Sequence, residues 1–474
     1  MPLSFDTIFA TLPSTFYTKM SGEVITDNPY LLHFNPELCE LIGLENSFFD
    51  DMKSLDYFIG KNTFPGSDSL AMVYAGHQFG QYVPQLGDGR ALLLGQIIGM
   101  DGKHYDLQVK GAGLTPYSRM GDGRAVLRSS IREYICGEAM YQLGISSTRA
   151  LGIIATNRPV IRERIEPGAI IVRIAESHIR FGHFEYFHYR NDYKNVAILA
   201  NHVIEHYYTN ITSTKNRYVE WFQEITARTA TLIAKWQAVG FCHGVMNTDN
   251  MSILGLTLDY GPFGFLETYN PTWICNQSDH SGRYSYQNQP IIAQWNLYAL
   301  AHALQSVIPI HQGLEVVADF DRLFKKSYEH EMAQKLGFNT PNASINLLWQ
   351  RLLTLMQHAS SDYTLTFSDL LITDKFLTHF KDKEQATQWI DTYEKLINEE
   401  KKNGNTFTPK NPRYVFRNWI AEKTIRAVED NVDLSIISEI LTMLNSPFEK
   451  QEKYEQYASK APEQWQNLNI SCSS

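Results

Sequence analysis

His243-Gly244-Val245-Met246-Asn247-Thr248-Asp249-Asn250, followed closely by Asp259-Tyr260-Gly261, is the stretch on which the reading of this chain turns. Asn250 and Asp259 offer hard oxygen donors of the kind a magnesium ion takes, and Asp249 stands beside them. Alone, such a loop reads as polar turns in which Asx side chains bond nearby backbone. The residues before it argue for more. Positions 219–239 carry Phe222, Ile225, Thr229, Leu232, Ile233 and Trp236 on one side, the spacing of an amphipathic helix, and Gly240 stops it. A helix therefore delivers the chain directly to His243.

The order of these groups matches the catalytic centre of protein kinases, H-R-D-x-x-x-x-N followed by a metal-binding D-F-G. His243 and Asn250 keep the spacing, and D-Y-G stands for D-F-G. The base aspartate does not survive, because its position is Val245. An isopropyl group cannot take a proton from a substrate hydroxyl. The chain thus keeps the equipment for a metal and a nucleotide without the base of ordinary phosphoryl transfer.

Upstream, the pattern is that of strands. Positions 81–98 read as strand, Gly87-Asp88-Gly89-Arg90 turn, strand. Met100-Asp101-Gly102 signals a hairpin, and Tyr105 to Lys110 alternates as its second strand. A helix is expected over 123–143, from Leu127, Ile131, Ile135 and Ala139 at i+4 spacing, with Asp122 as its N-cap. A second hairpin is expected from Val160 to Ala175, turning at Glu166-Pro167-Gly168. Further helices are expected over 291–308, 314–336, 344–358, 376–401 and 412–430, with a polar loop at 402–405. The fold expected is α+β and bilobal like a protein kinase. Residues 1–178 would form an N-terminal extension and a β-rich lobe with one main helix. Residues 179–474 would form a larger helical lobe holding the catalytic loop, the D-Y-G segment and a C-terminal tail.

Composition narrows the function. The chain has 474 residues, 43% hydrophobic and 20% charged, as a folded protein of more than one lobe has. A net charge of −9 argues against a nucleic-acid partner. No apolar run is long enough for a membrane span, and positions 1–20 lack the pattern of a secretory signal. The five cysteines, odd in number and without metal-ligand spacing, fit a reducing, cytoplasmic setting.

Lys110 at a strand end resembles the lysine of a kinase V-A-I-K strand, which pairs with phosphates and a helix glutamate. Glu133 and Glu138 both lie on the following helix, and helical phase does not choose between them. Gly87 and Gly89 can bring backbone N–H groups close to phosphate, and a plain turn uses glycine equally well. Asp122 and Gly123 mark the start of the expected helix, either as a cap or beside a nucleotide. Arg173 and Arg180 carry guanidinium groups suited to phosphate oxygens, although surface ion pairs use arginine as readily.

Longer motifs resolve some of this. Asp106 to Gly113 (DLQVKGAG), Pro116 to Arg124 (PYSRMGDGR), His243 to Ser252 (HGVMNTDNMS), Asp259 to Gly264 (DYGPFG) and Asn411 to Trp419 (NPRYVFRNW) resemble the selenoprotein O family of pseudokinases. The resemblance runs from about residue 70 to the C-terminus. It implies a kinase-like fold holding ATP flipped, so that the α-phosphate faces the acceptor. It implies transfer of AMP from ATP, or of UMP from UTP, to Ser, Thr or Tyr hydroxyls of protein substrates, with release of pyrophosphate.

By matching position, the resemblance implies an ion pair of Lys110 with Glu133. It implies a nucleotide site of Gly87, Gly89, Arg90, Lys110, Asp122, Gly123, Arg173, Arg180 and Asp259. Asn250 and Asp259 would bind Mg2+ or Mn2+, and Asp249 would be the catalytic aspartate. The family's selenocysteine position matches Cys472, and a disulfide from Cys472 to Cys275 is a further expectation. Two other readings stay open: a non-catalytic ATP-binding scaffold, and a protein kinase with a displaced base.

Overall fold

The computed structural model describes residues 3–26, 28–402, 404, 406–466, 468 and 470–471. Cys472 and two positions of the 402–405 loop, Asn403 and Asn405, lie outside the described residues. The first part of the chain forms β1 (Tyr17–Lys19), β2 (Tyr30–Phe34), α1 (Pro36–Leu41), β3 (Leu70–Met72), β4 (Gly76–Gln78), β5 (Gln81–Val83), β6 (Ala91–Ile98) and β7 (His104–Lys110). It continues with β8 (Ala125–Val126), α2 (Leu127–Gln142), β9 (Arg149–Ile161) and β10 (Ile165–Ala175). The main sheet runs β1-β3-β6-β7-β10-β9-β2, antiparallel throughout, with β8 added beside β10.

Side chains alternate between the two faces of a strand, and that alternation sets up the site. Leu92, Leu94, Leu107, Val109, Ile170 and Val172 point to one face, packed against Leu38, Phe49, Leu55 and Phe58 of the N-terminal segment. Leu93 and Ile171 point to the other face, against Ile131 and Ile135 of α2. Each such side chain removed from water contributes about 1.5–3 kcal/mol. Parity then puts Gln108, Lys110 and Arg173 on the α2 face. Register places Arg173 opposite Gln108, and Ile171 opposite Lys110.

The rest is helical: α3 (Phe181–His188), α4 (Tyr193–Tyr207), α5 (Arg217–Val239), the short pair β11 (Phe241–Cys242) and β12 (Gly264–Phe265), then α6 (Gln289–Ala303), α7 (Ile310–Ala318), α8 (Phe320–Lys335), α9 (Ala343–Ala359), α10 (Tyr363–Ser368), α11 (Thr373–Thr378), α12 (Lys383–Lys402), α13 (Asn418–Asn431) and α14 (Ser435–Asn445). α5 ends at Gly240, whose φ of +77° is the left-handed conformation a helix stop requires. An antiparallel sheet with one helix against it, followed by a helical lobe entered through the 243–261 segment, is the bilobal α+β plan of a protein kinase. One apolar core continues from Leu93 and Ile131 through Trp221 and Ile225 to Trp419 and Ile437. No helix among the described residues is long and apolar enough to cross a membrane.

Several local expectations are corrected. β5 pairs with β4, not with β6, so Gly87-Asp88-Gly89-Arg90 is a connecting loop rather than a hairpin turn. The helix expected from 123 starts at Leu127, because Ala125 and Val126 first pair with Ala169 and Gly168. Asp122 is therefore not its N-cap; it accepts the Arg124 N–H and pairs with Arg162. The β9–β10 hairpin turns at residues 162–164, and Glu166-Pro167-Gly168 lies within β10. The span 314–336 divides into α7 and α8, and 376–401 into α11 and α12.

α2 separates the fates of its two glutamates. Glu138 forms a bidentate pair with Arg149, at 2.9 and 2.6 Å, away from the Lys110 end of the sheet. Arg149 also pairs with Glu37 at 3.0 Å and lies 3.7 Å over the Tyr141 ring. Glu138→Ala leaves the guanidinium half-compensated in a buried place and should cost roughly 3 kcal/mol, the low end for a broken buried pair. Urea unfolding measures it. A midpoint equal to that of the unsubstituted protein contradicts a structural role for the pair.

Candidate active site

Between the sheet and the 243–261 segment lies a cavity of about 770 Å³. Gly87, Gly89, Arg90, Lys110, Asp122, Gly123, Arg173, Arg180, Asp249, Asn250 and Asp259 all line it. Sequence positions from four separate regions thus meet in one place. Glu133 stands behind Lys110 and completes the group.

These residues form a network of charge. Lys110 Nζ donates to Glu133 Oε2 at 2.6 Å, and Arg173 Nε donates to Glu133 Oε1 at 2.5 Å. Arg173 also reaches Asp259 Oδ1 at 2.6 Å, and Arg180 reaches Asp259 Oδ2 at 3.1 Å. Lys110 Nζ is 4.0 Å from Asp259, and Arg180 is 3.8 Å from Asp88. Burial alone would raise the Asp259 carboxyl, but Arg173, Arg180 and Lys110 hold it well below the usual carboxylate range. Glu133 likewise overcomes burial through Arg173 and Lys110, and is lowered. Burial and the neighbouring Arg173 push Lys110 down to about 8, against the pull of Glu133. Asp259 itself has φ +56°, a conformation that non-glycine residues adopt only where their surroundings enforce it.

The catalytic-loop positions divide into framework and chemistry. His243 is buried and stacked on Trp236, with ring centroids 5.2 Å apart. Its Nε2–H donates to the Leu258 carbonyl at 2.8 Å, and its Nδ1 accepts the Val245 N–H at 3.3 Å. Burial holds it neutral, the form with one donor and one acceptor that these bonds need. His243 therefore ties the loop to the residue before Asp259. The Asn250 amide N–H donates to the Val245 carbonyl at 3.0 Å, which leaves its oxygen as a donor to a cation.

Asp249 sits in a short 3-10 turn, Thr248–Asn250. Its Oδ2 accepts from Gln78 Nε2 at 3.1 Å, and its buried Oδ1 has no hydrogen-bond partner. Burial pushes the carboxyl up to about 7, partly opposed by Gln78 and Arg180. Among the described cavity-lining residues, Arg180 Nε is the other buried side-chain polar atom without a hydrogen-bond partner.

The glycines are needed for close packing. A Cβ on Gly87 would lie 2.6 Å from the Tyr117 ring, and one on Gly89 2.8 Å from the Tyr117 carbonyl. Gly123, at φ +69°, passes so near Gly113 that a Cβ would lie 2.0 Å from its oxygen. The 87–90 and 113–123 loops are thus stacked, and both face the cavity. Cys275 lies apart, buried, its Sγ donating to the Cys242 carbonyl at 3.4 Å. Burial and the adjacent Cys242 push its thiol well up. The neighbouring Gln277 N–H donates to the Ile470 carbonyl at 2.9 Å, so the end of the described chain runs beside this segment.

Sequence reasoning missed Gln78, Asp88 and Glu185. Asp88 stands between Gly87 and Gly89 and is buried, accepting from the Met72 N–H and the Tyr74 hydroxyl. Glu185 accepts from the Thr248 hydroxyl and pairs with His77 at 2.5 Å. Gln78 and Glu185 answer partners 63 to 171 residues away, and no local periodicity marks any of the three.

Comparison with known proteins agrees with the geometry. The family described as protein adenylyltransferase SelO matches residues 1–445. A protein nucleotidyltransferase YdiU of Erwinia tasmaniensis is 43% identical over 457 residues, covering 94% of this chain and 95% of that protein. One of the same name from Thiobacillus denitrificans is 41% identical over 484 residues, covering 100% of this chain and 99% of that protein. A match of this extent, on a chain whose kinase-like loop and D-Y-G segment close one cavity, shows that it belongs to the SelO family.

Proposed function

We propose that this protein is a protein nucleotidyltransferase that moves AMP from ATP, or UMP from UTP, to Ser, Thr or Tyr hydroxyls of protein substrates. The observation that carries the reading is one cavity lined both by Lys110, Arg173 and Arg180, cations suited to phosphate oxygens, and by Asp249, a carboxylate suited to a hydroxyl proton. The family membership and the names of both relatives point the same way.

In this reading the nucleotide lies flipped, with its β- and γ-phosphates towards Arg173 and Arg180 and its α-phosphate towards the acceptor. The acceptor oxygen attacks the α-phosphorus, and the bond from that phosphorus to the bridging β-phosphate oxygen breaks. Asp249 takes the hydroxyl proton. Lys110, Arg173 and Arg180 hold the charge of the departing pyrophosphate, as fixed cations in a water-poor site do efficiently. Arg90, Gly87, Gly89, Asp122 and Gly123 bound the rest of the nucleotide.

In this reading a divalent metal is held by Asn250, whose amide N–H rather than its oxygen bonds Val245, and by Asp259, which would share its carboxylate between the metal and Arg173 and Arg180. Among the described residues no three His, Cys, Asp or Glu side chains converge on one point. Asn250 and Asp259 would supply two oxygen ligands, the usual protein share when phosphates and water complete the shell. Mg2+ or Mn2+ held there would neutralise phosphate charge.

Val245 keeps a non-catalytic scaffold and a kinase with a displaced base as rivals, and one assay separates the three. Incubation with ATP labelled at the α- or the γ-phosphate should leave only the α-label acid-stable on protein. γ-Label would mean a kinase, and no label a scaffold. Asp259→Ala should abolish α-labelling, and Asp249→Asn should lower it about 10²- to 10⁴-fold. Undiminished labelling by Asp259→Ala protein rules out the proposed metal site.

Regulation by a disulfide between Cys275 and Cys472 completes the proposal. The Gln277–Ile470 hydrogen bond supports it by keeping the end of the described chain near Cys275. Treatment with diamide, which accepts the two electrons and two protons of the thiols, should shift non-reducing gel mobility and lower α-labelling. Cys275→Ser should lose both responses, and a shift that persists in that variant contradicts the pairing.

A further inference from the structure

The hairpin of β4 and β5 lies off the main sheet and is seated on the 248–250 turn. Gly76 makes the contact possible, since a Cβ there would lie 2.8 Å from Asp249 Oδ1 and 3.1 Å from its N. His77 N–H donates to Thr248 Oγ1 at 2.6 Å, and the Thr248 hydroxyl donates to Glu185, which also meets the His77 ring. The hairpin is thereby fixed to the residue preceding Asp249.

Its tip is held under strain. Phe79 has φ +50°, and such a conformation in a bulky residue costs of order 1–3 kcal/mol. Two bonds hold it there: its N–H donates to the Tyr284 hydroxyl at 2.9 Å and to Asn247 Oδ1 at 3.3 Å. The Tyr284 hydroxyl in turn donates to Asn247 at 2.6 Å. Strain persists where the surroundings over-determine a conformation, and here they determine where Gln78 points. Its Nε2 meets Asp249 Oδ2 at 3.1 Å.

We infer that Gln78 is a positioning residue of the transfer reaction, whose amide fixes the orientation of the Asp249 carboxylate beside the acceptor. This rests on the reading of Asp249 as the group that takes the hydroxyl proton. A carboxylate rotates about its Cβ–Cγ bond with little resistance, and a displacement of about 1 Å in a reacting group costs on the order of 10²-fold in rate. Gln78 supplies an N–H to one oxygen and no charge, so it restrains Asp249 without neutralising it.

The test compares Gln78→Ala, Gln78→Glu and Asp249→Asn in the full chain. The α-labelling assay is run with enough enzyme to follow residual transfer. Gln78→Ala should lower kcat about 10- to 100-fold. The KM for ATP, the affinity for a fluorescent ATP analogue and the melting temperature should stay as in the unsubstituted protein. Gln78→Glu, isosteric but without an amide N–H, should not restore kcat. In the Asp249→Asn background, Gln78→Ala should cost nothing further, the coupling expected of two groups acting as one. Unchanged kcat in Gln78→Ala, or losses that multiply in the double variant, overturns the inference and leaves the reading of Asp249 intact. A fall in kcat matched by weaker nucleotide binding or lower melting temperature overturns it as well. Full activity of Asp249→Asn removes both the reading and the inference.

Discussion

Asp259 accepts from two arginines at once, and much of the molecule is arranged to permit that. Arg173 comes from β10, Arg180 from the start of α3, and Asp259 from the segment after the catalytic loop. Glu133 of α2 holds the far side of Arg173 and Lys110. Removing so many charges from water costs several kcal/mol per ion, and only near-complete pairing offsets it. A shift of any one element by an ångström or two would leave a buried charge without its partner. The strand register, the placement of α2 and the left-handed backbone at Asp259 are therefore coupled requirements. The sheet and the helical part also share one continuous apolar core.

The loop at 243–250 looks different once this network is in view. His243 is held as part of the framework: it bonds the Leu258 carbonyl and the Val245 N–H and stacks on Trp236. Those contacts need a neutral imidazole and are indifferent to the side chain at 245. The isopropyl group of Val245 can therefore replace a carboxylate without disturbing the loop. Four residues further on, the Thr248–Asn250 turn places Asp249 in the same cavity, under a hairpin that has no counterpart among the strands of the main sheet.

How much of this could be read from sequence depended on how local each determinant is. α5 and its Gly240 stop were legible because periodicity and a helix terminator lie in one window. The β6–β7 hairpin was legible from Asp101-Gly102, and the line-up of Lys110 with a helix glutamate from the strand that follows. Helical phase did not choose between Glu133 and Glu138, since both are buried and each answers a cation outside its own helix, Lys110 and Arg173 for one and Arg149 for the other; the motif resemblance pointed to Glu133. Asp122-Gly123 carries the local signature of a helix cap, yet Gly123 is there because the chain passes Gly113 too closely for a side chain. The β4–β5 hairpin left no alternating pattern in its three-residue strands, and its partner in space lies 171 residues on.

The charge of the cavity runs against that of the chain. The sequence carries −9 overall, yet Arg90, Lys110, Arg119, Arg124, Arg162, Arg173 and Arg180 line this space against Asp88, Asp122, Asp249 and Asp259. Surface charge more than about 8–10 Å away is screened at physiological ionic strength, so the local excess of cations governs what enters. Left to themselves, those cations would repel one another or turn outwards to water. Glu133 and Asp259 hold them in fixed directions, at the cost of occupying part of their bonding capacity. A triphosphate entering here would meet donors whose ordering was completed during folding, and the affinity and rate gained from such donors come largely from that prior ordering. The carboxylates that seem to compete with a phosphate for the arginines are what keeps the arginines available to it.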